Sequence, residues 1–213
     1  GGSAVGKIGS ISDNIFLANT TTGGLKFGTS GGSTIVDPTN ETGAVEDATH
    51  DLGSSGGRWR NLYLSSGLFV GGTGSVNQLD DYEEGAYDVA VSTTSGSITL
   101  HSSFNSASYT KVGRLVHVNG LLNVASVSSP TGVVTLSLPF VPVDLSERRG
   151  DSTTSLYITG VVSNNVADFV TSINEGAAAF YIQLGDNNSP VNDAGEQIIA
   201  NVNIVFSASY HTA

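Results

Sequence analysis

Residues 197–210, Gln-Ile-Ile-Ala-Asn-Val-Asn-Ile-Val-Phe-Ser-Ala-Ser-Tyr, decide the fold class of this chain. Every second residue from Ile198 to Tyr210 is apolar, and the positions between them are mostly Asn and Ser, with Ile199 and Val205 as exceptions. Because successive side chains of a β-strand point to opposite faces of a sheet, this alternation predicts a long strand with one buried and one solvated face.

Similar alternation recurs along the second part of the chain and predicts about seven or eight strands there. No segment carries apolar residues at helical spacing over three turns. The sequence therefore predicts an all-β fold whose residues 77–213 form an antiparallel β-sandwich resembling a jelly roll. Leu115 and Leu121 interrupt the polar face of their strand, so we expect a second buried surface, which in a homotrimer would be the subunit interface.

The first part of the chain follows a different pattern. Of the 27 glycines, 17 lie at or before Gly74, and they separate short apolar segments that we predict as β-strands, such as residues 15–17, 25–27 and 59–64. Segments this short bury little apolar surface within one chain. We therefore predict that residues 1–76 form an intertwined β fibre segment in which three chains complete one another's core. A disordered Gly/Ser linker is the alternative.

Composition excludes several classes of function. The net charge is −11 with only eight basic residues, which excludes a basic surface for nucleic acid. No apolar run is long enough to predict insertion into a membrane. The absence of cysteine excludes disulfides, thiolate metal sites and cysteine nucleophiles. Methionine is also absent, and we expect the sequence to be part of a longer polypeptide.

Two stretches resemble tail-fibre proteins of marine and environmental bacteriophages. Residues 51–67, Asp-Leu-Gly-Ser-Ser-Gly-Gly-Arg-Trp-Arg-Asn-Leu-Tyr-Leu-Ser-Ser-Gly, are similar to a signature near the distal end of such fibres. Residues 79–85, Leu-Asp-Asp-Tyr-Glu-Glu-Gly, and residues 109–120, Tyr-Thr-Lys-Val-Gly-Arg-Leu-Val-His-Val-Asn-Gly, resemble the opening of their C-terminal head domain. The tryptophan usual after Glu-Gly is replaced here, where Ala86-Tyr87-Asp88 follow, so a carbohydrate-stacking role does not carry over to that point.

The resemblance implies the receptor-binding end of a phage tail fibre, located in the virion after assembly in the bacterial cytoplasm. It also implies a homotrimer that attaches to a bacterial surface glycan or outer-membrane protein. It does not identify the contacting residues, because the loops of this family diverge. The alternative is a structural virion component, such as a baseplate or decoration jelly roll, that does not bind the host.

The signature segment contains the only tryptophan of the chain. Arg58, Trp59 and Arg60 alternate, so in a strand the indole would face one way and both guanidinium groups the other. We expect Trp59 to enter a core shared between chains, with an arginine paired to Asp47 or Asp51 of a neighbour. A sugar-stacking platform is the functional alternative for this indole.

The metal-binding candidates are weak. Asp80, Asp81, Glu83 and Glu84 place four carboxylates within five residues, which suits Ca²⁺, although such a run more often forms a solvated linker, here a hinge into the head. Three copies of His117 could meet at a three-fold axis, although a hydrogen-bonded strand histidine is the simpler interpretation. We expect no bound metal and no cofactor.

The sequence predicts a non-enzymatic adhesin. Glycan hydrolysis needs two neighbouring carboxylates, one of them with a raised pKa. Nearly all acidic residues of the second part lie in turn-rich stretches, whereas burial inside an apolar strand is what raises the pKa of a carboxyl group.

Receptor contacts are expected in the loops of the head, because binding residues concentrate in loops on a rigid scaffold. Asn and Arg side chains suit hydrogen bonding to sugars. The candidates, each of which could instead be an ordinary solvated turn residue, are Asp186, Asn187, Asn188 and Asn192, then Arg148, Arg149 and Asn164.

Overall fold

Antiparallel β-sheets dominate the structure. The computed structural model describes residues 6–162, 168–186, 189–191 and 193–213. Within those residues the one α-helix is only four residues long. All strand pairs are antiparallel, so the all-β antiparallel fold predicted from the sequence is confirmed. Nowhere in the described ranges is a helix long and apolar enough to span a membrane.

The chain divides into two units, Gly1–Tyr63 and Leu64–Ala213. The sequence pattern instead places the change between residues 76 and 77, and that boundary stays a prediction.

The first unit contains a meander of four strands in sequence order. The strands are β1 (Lys7–Ile11), β2 (Asn14–Ala18), β3 (Gly24–Ser30) and β4 (Ser33–Thr39). The β3–β4 hairpin turns at Gly31 and Gly32, whose φ angles are +56° and +84°. Two consecutive positive φ angles are what a type I′ two-residue hairpin turn requires, and glycine reaches them without a Cβ clash.

The second unit contains the remaining strands and the short helix. The strands are β5 (Leu68–Phe69), β6 (Gln78–Leu79), β7 (Tyr82–Asp88), β8 (Val91–Leu100), β9 (Ser106–Val112), β10 (Leu115–Ser137), β11 (Thr154–Thr159), β12 (Asp168–Ile173), β13 (Ala179–Asp186), β14 (Ser189–Val191) and β15 (Asn203–His211). The helix, α1, covers Ala194–Gln197. Two 3-10 turns cover Ser75–Asn77 and Ser146–Arg148.

One long strand joins the two sheets of the second unit. The first part of β10 lies between β9 and β15, giving a five-stranded sheet in the order β7-β9-β10-β15-β11. Its second part lies between β8 and β13, and β12 and β14 also pair with β13. The β8–β10 ladder contains register shifts between residues 124 and 134. Such bulges bend a strand, so β10 contributes side chains to both sheets.

The core lies between the inner faces of these two sheets. Val116, Val118 and Leu122 from the five-stranded sheet are fully buried in the same cluster as Leu136 and Phe180 from the other sheet. The Phe180 ring also contacts the ring of Phe206, with the centroids 5.4 Å apart. This continuous apolar layer joins the inner faces of the two sheets.

The decisive stretch, residues 197–210, is a strand in its second half only. Ile204, Phe206, Ala208 and Tyr210 are buried on one face as predicted. The prediction is wrong for residues 197–202, where α1 ends and Asn201 adopts a φ of +68°. A strand cannot continue through that left-handed conformation.

Candidate functional site

The Arg148 and Arg149 loop is held by its own polar groups. Arg148 Nε donates to Asp151 Oδ2 at 2.7 Å, and Arg149 Nη2 donates to Ser146 Oγ at 2.8 Å. The Glu175 carboxylate accepts hydrogen bonds from the backbone of Leu145 at 3.0 Å and of Gly150 at 3.1 Å. This loop is therefore an ordered surface feature that presents its guanidinium groups from a fixed backbone.

Asp151 connects the loop that contains Arg148 and Arg149 to the loop that contains Glu175. Its Oδ1 accepts a hydrogen bond from the Glu175 N–H at 3.0 Å. That bond, and the hydrogen bond from Arg148, hold the pKa of the Asp151 carboxyl below its usual range. The carboxylate is thus ionised and engaged, and it does not have the raised pKa that a general acid needs.

The other predicted receptor contacts cannot be placed. Asn164, Asn187, Asn188 and Asn192 lie outside the described residues. Asp186 ends β13, where its backbone pairs with Ser189 of β14, and its side chain is also outside the described part. These five residues stay predictions.

The signature segment is irregular rather than extended. Residues 58–64 form no strand, so the strand predicted at residues 59–64 is wrong. A strand needs a neighbour to take its backbone hydrogen bonds, and the described chain provides none at this place. The backbone turns instead between Ser54 and Gly57, which exchange two hydrogen bonds.

Trp59 is 69% exposed in the isolated chain. It borders a shallow cavity of about 490 Å³ lined by Leu52, Gly53, Ser54, Arg58, Trp59, Asn61 and Leu62. Leu52 and Leu62 are also largely exposed. Arg58 and Arg60 form no ion pair with another described residue of this chain. Both the shared-core and the sugar-stacking interpretations of Trp59 stay open.

The acidic run is not a hinge, and this prediction is wrong for Glu83 and Glu84. Both belong to β7, which is hydrogen-bonded along its length to β9. The Tyr109 hydroxyl donates to Glu83, and the Tyr82 hydroxyl donates to Glu84 at 3.0 Å. Each hydrogen bond to a carboxylate raises the pKa of the tyrosine concerned. The Glu83 bond thus helps to anchor the edge strand β7 to β9, whereas the Glu84 bond lies within β7.

Asp81 is engaged as well. It forms an ion pair with Lys111, whose side chain is only 10% exposed and whose Nζ lies 5.2 Å from the centre of the Phe140 ring. Asp80 and Asp81 border a cleft of about 690 Å³ that is also lined by Ser75, Gln78, Gly113, Arg114 and Ala213.

The histidine candidate lies on the outer side of β10. His117 Nδ1 is 2.9 Å from Ser209 Oγ on the neighbouring strand. His117 is therefore a hydrogen-bonded strand histidine, the simpler of the two interpretations of this residue. Among the described residues, no three His, Asp or Glu side chains are grouped closely enough to hold a metal ion.

The most distinctive surface is one that the sequence showed only as separate segments. Ile8, Leu17 and Leu25 stand in one cross-strand row of the first unit, and Ile15, Phe27 and Val36 stand in the next. All six are between 43% and 76% exposed. Because side chains two residues apart share a face, these rows form one continuous apolar surface, here called the meander face.

The opposite side of the same sheet is covered by the chain itself. Phe16 is only 5% exposed, and its ring lies so close to the backbone of Gly9 and Gly43 that neither position has room for a Cβ. Lys26 and Asp37 form an ion pair at 3.2 Å on that side. The first unit therefore covers one side of its sheet and leaves the apolar side open.

Comparison with known proteins gives little further information. No protein family model matches the sequence. No curated protein matches it either. A crystal structure of the Dettilon tailspike protein (gp208) is similar to 61% of this chain at 21% identity, with a TM-score of 0.49. The match covers 23% of the tailspike chain, and a likeness of this size carries no argument about activity.

Proposed function

We propose that this chain is the distal part of a bacteriophage tail fibre, which attaches the virion to a bacterial surface glycan or protein as a homotrimer without cleaving it. The observation that carries the proposal is the uncovered meander face. An apolar surface of six large side chains is costly in water, so it favours a protein that works as an assembly.

A fibre accounts for the asymmetry of the meander. Three sheets arranged around one axis can turn their apolar faces inward and cover one another, while the Phe16 side of each sheet needs no partner. The exposed Leu52, Trp59 and Leu62 of the signature segment are further apolar groups that neighbouring chains would cover. This supports the short-strand fibre segment expected from the glycine pattern.

Receptor binding is supported by the resemblance of residues 51–67, 79–85 and 109–120 to tail fibres and by the hydrogen-bonded loop that contains Arg148 and Arg149. The loop containing Arg148 and Arg149 is fixed by hydrogen bonds to Glu175 and Asp151, so it presents polar groups at little entropic cost. Three copies would strengthen weak individual contacts through avidity.

Binding of the fluorescently labelled full chain to a panel of bacterial strains tests this function. We expect saturable binding to a subset of strains, competed by unlabelled chain, with no release of sugar from the cells. Failure to bind any strain that the parent phage infects would favour the structural virion component. Release of reducing sugar ends would contradict the non-enzymatic part of the proposal.

A further inference from the structure

The five-stranded sheet of the second unit has an outer face that resembles a protein interface. We propose that this surface, the head face, is covered by other copies of the same chain. The head face consists of the outward side chains of β7, β9, β10, β15 and β11. This inference rests on the proposed function, because a fibre tip is an assembly of several copies. It adds the surface through which the second units of those copies associate.

The strand register brings the exposed apolar side chains of this face together. Leu121 lies opposite Val205, which in turn lies opposite Tyr157, so three strands contribute one apolar row. Tyr82, Val112 and Leu115 are cross-strand partners in a second row. Leu121 is 44% exposed and Tyr157 is 66% exposed. Apolar groups thus occupy two separate parts of the same sheet face.

The corresponding outer face of the other sheet serves as an internal comparison. Ser92, Thr135, Tyr181 and Ser172 form a cross-strand row there. Among the described outward side chains of that face, none is a largely exposed large apolar residue. Of the two outer sheet faces, the head face is therefore the one that carries largely exposed large apolar residues.

The distribution of charged residues indicates which partner can cover the head face. The outward residues of β9, β10, β15 and β11 include no Asp, Glu, Lys or Arg, and the only carboxylates of the head face, Glu84 and Asp88, lie on the edge strand β7. A chain with a net charge of −11 repels its own copies, and it repels them least through a surface with few charged groups, such as these four strands. The outward side chains of these four strands are mostly Ser, Thr and Asn, which can hydrogen-bond to the same groups in a second copy.

The area also suits association between copies. Five strands about 4.8 Å apart, which contribute six to nine residues each at about 3.4 Å per residue, present a face of roughly 600 Å². A stable protein interface buries about 800 Å² per partner, so the head face is of the right order. A partner that made only the contacts of a small ligand would leave most of this surface uncovered.

Thiol labelling tests the proposal in the full chain, which contains no cysteine of its own. Ser155→Cys places a thiol on the head face, and Ser92→Cys places one on the outer face of the other sheet; both serines are exposed in the single chain. We expect Ser155→Cys to react more slowly than Ser92→Cys at high protein concentration and to approach the Ser92→Cys rate on dilution. The mass of each sample is followed by light scattering.

A second pair of variants checks that contact between copies causes the slow labelling of Ser155→Cys. Tyr157→Arg introduces a charge into the head face at a residue that is 66% exposed, and Val141→Arg introduces one off the sheet at an apolar residue that is 52% exposed. Added to Ser155→Cys, Tyr157→Arg is expected to restore fast labelling, whereas Val141→Arg leaves it slow.

The outcomes separate this inference from the proposed function. Fast labelling of Ser155→Cys in a sample that remains trimeric would overturn the head-face inference and leave the trimeric fibre intact. Slow labelling that persists in a monomeric sample would also overturn it, because the chain itself would then cover the face. A monomer at every concentration, with equally fast labelling at both positions, would contradict both.

Discussion

Ile15 and Phe27 are direct cross-strand partners in the four-stranded sheet of the first unit, and both side chains are largely exposed to solvent. Val36 lies opposite Phe27 on the next strand and is exposed as well. Such cross-strand contacts stabilise a sheet, but they leave the outer side of each group in water. The first unit therefore has an apolar surface that it does not itself cover.

Phe27→Lys should dissociate the assembly, because a charge in the centre of the meander face has to be buried when copies associate. The matched control is Phe104→Lys, which replaces a similarly exposed phenylalanine of the second unit. Light scattering over a range of protein concentrations measures the change. If Phe27→Lys has the same mass as the unmodified chain, the meander face is not an interface.

Two neighbouring leucines of β10 should differ sharply in their contribution to stability. Leu122 is fully buried and Leu121 is 44% exposed. Leu122→Ala should lower the free energy of unfolding by about 2–5 kcal/mol, because it removes buried methyl groups and leaves a cavity. Leu121→Ala should change it by less than about 0.5 kcal/mol at concentrations where the chain is monomeric. Urea unfolding measures both; similar losses would mean that the outer face of β10 is buried within one chain.

Removing the buried hydroxyl of Tyr87 and removing that of Tyr210 should have opposite effects on stability. Tyr87 Oη is buried and has no hydrogen-bond partner among the described residues, whereas the Tyr210 hydroxyl donates to Phe140 O at 3.1 Å and accepts from Phe140 N at 3.3 Å. Tyr87→Phe should therefore be neutral or stabilising, and Tyr210→Phe should cost about 1–2 kcal/mol. Thermal unfolding of the two variants side by side checks this, and a larger loss for Tyr87→Phe would show that its hydroxyl has a partner.

Stability should fall in alkaline solution. Burial raises the pKa of Tyr210 to about 12 from an ordinary 10.0, and burial also raises the pKa of Tyr87. The unfolded chain loses these protons first, so their contribution is complete below pH 10 and is lost as the pH rises through 12. The variant Tyr87→Phe/Tyr210→Phe should show a flatter decline in denaturation midpoint between these pH values. An unchanged slope would show that other groups cause the decline.

Sequence patterns predicted the interior of the fold better than its edges. Alternation around Val134, Leu136 and Phe180 identified strands whose inner side chains are fully buried, because period-two burial leaves a direct mark on the sequence. The helix at Ala194–Gln197 left no such mark, since it is a single turn. Its Gly195 packs so closely on the backbone of Thr131 that the position has no room for a Cβ, a tertiary constraint that local sequence does not record.

The remaining errors of the sequence-based predictions arise from pairing between segments that are distant in the sequence. Four carboxylates in five residues suggested a hinge, but hydrogen bonds to β9 and the ion pair with Lys111 place the run at a sheet edge. The short segments of the first unit were recognisable individually, yet the meander face exists only through the register that aligns Ile15, Phe27 and Val36. For the receptor candidates, residue type alone indicated chemistry, and only Arg148 and Arg149 can be placed with their contacts.

Sedimentation equilibrium of the unmodified full chain, at several concentrations in physiological salt, asks whether copies of this protein cover one another's apolar faces. We predict a species with three times the 21.8 kDa mass of one chain. A mass of 21.8 kDa at every concentration would contradict the assembly on which the proposed function depends.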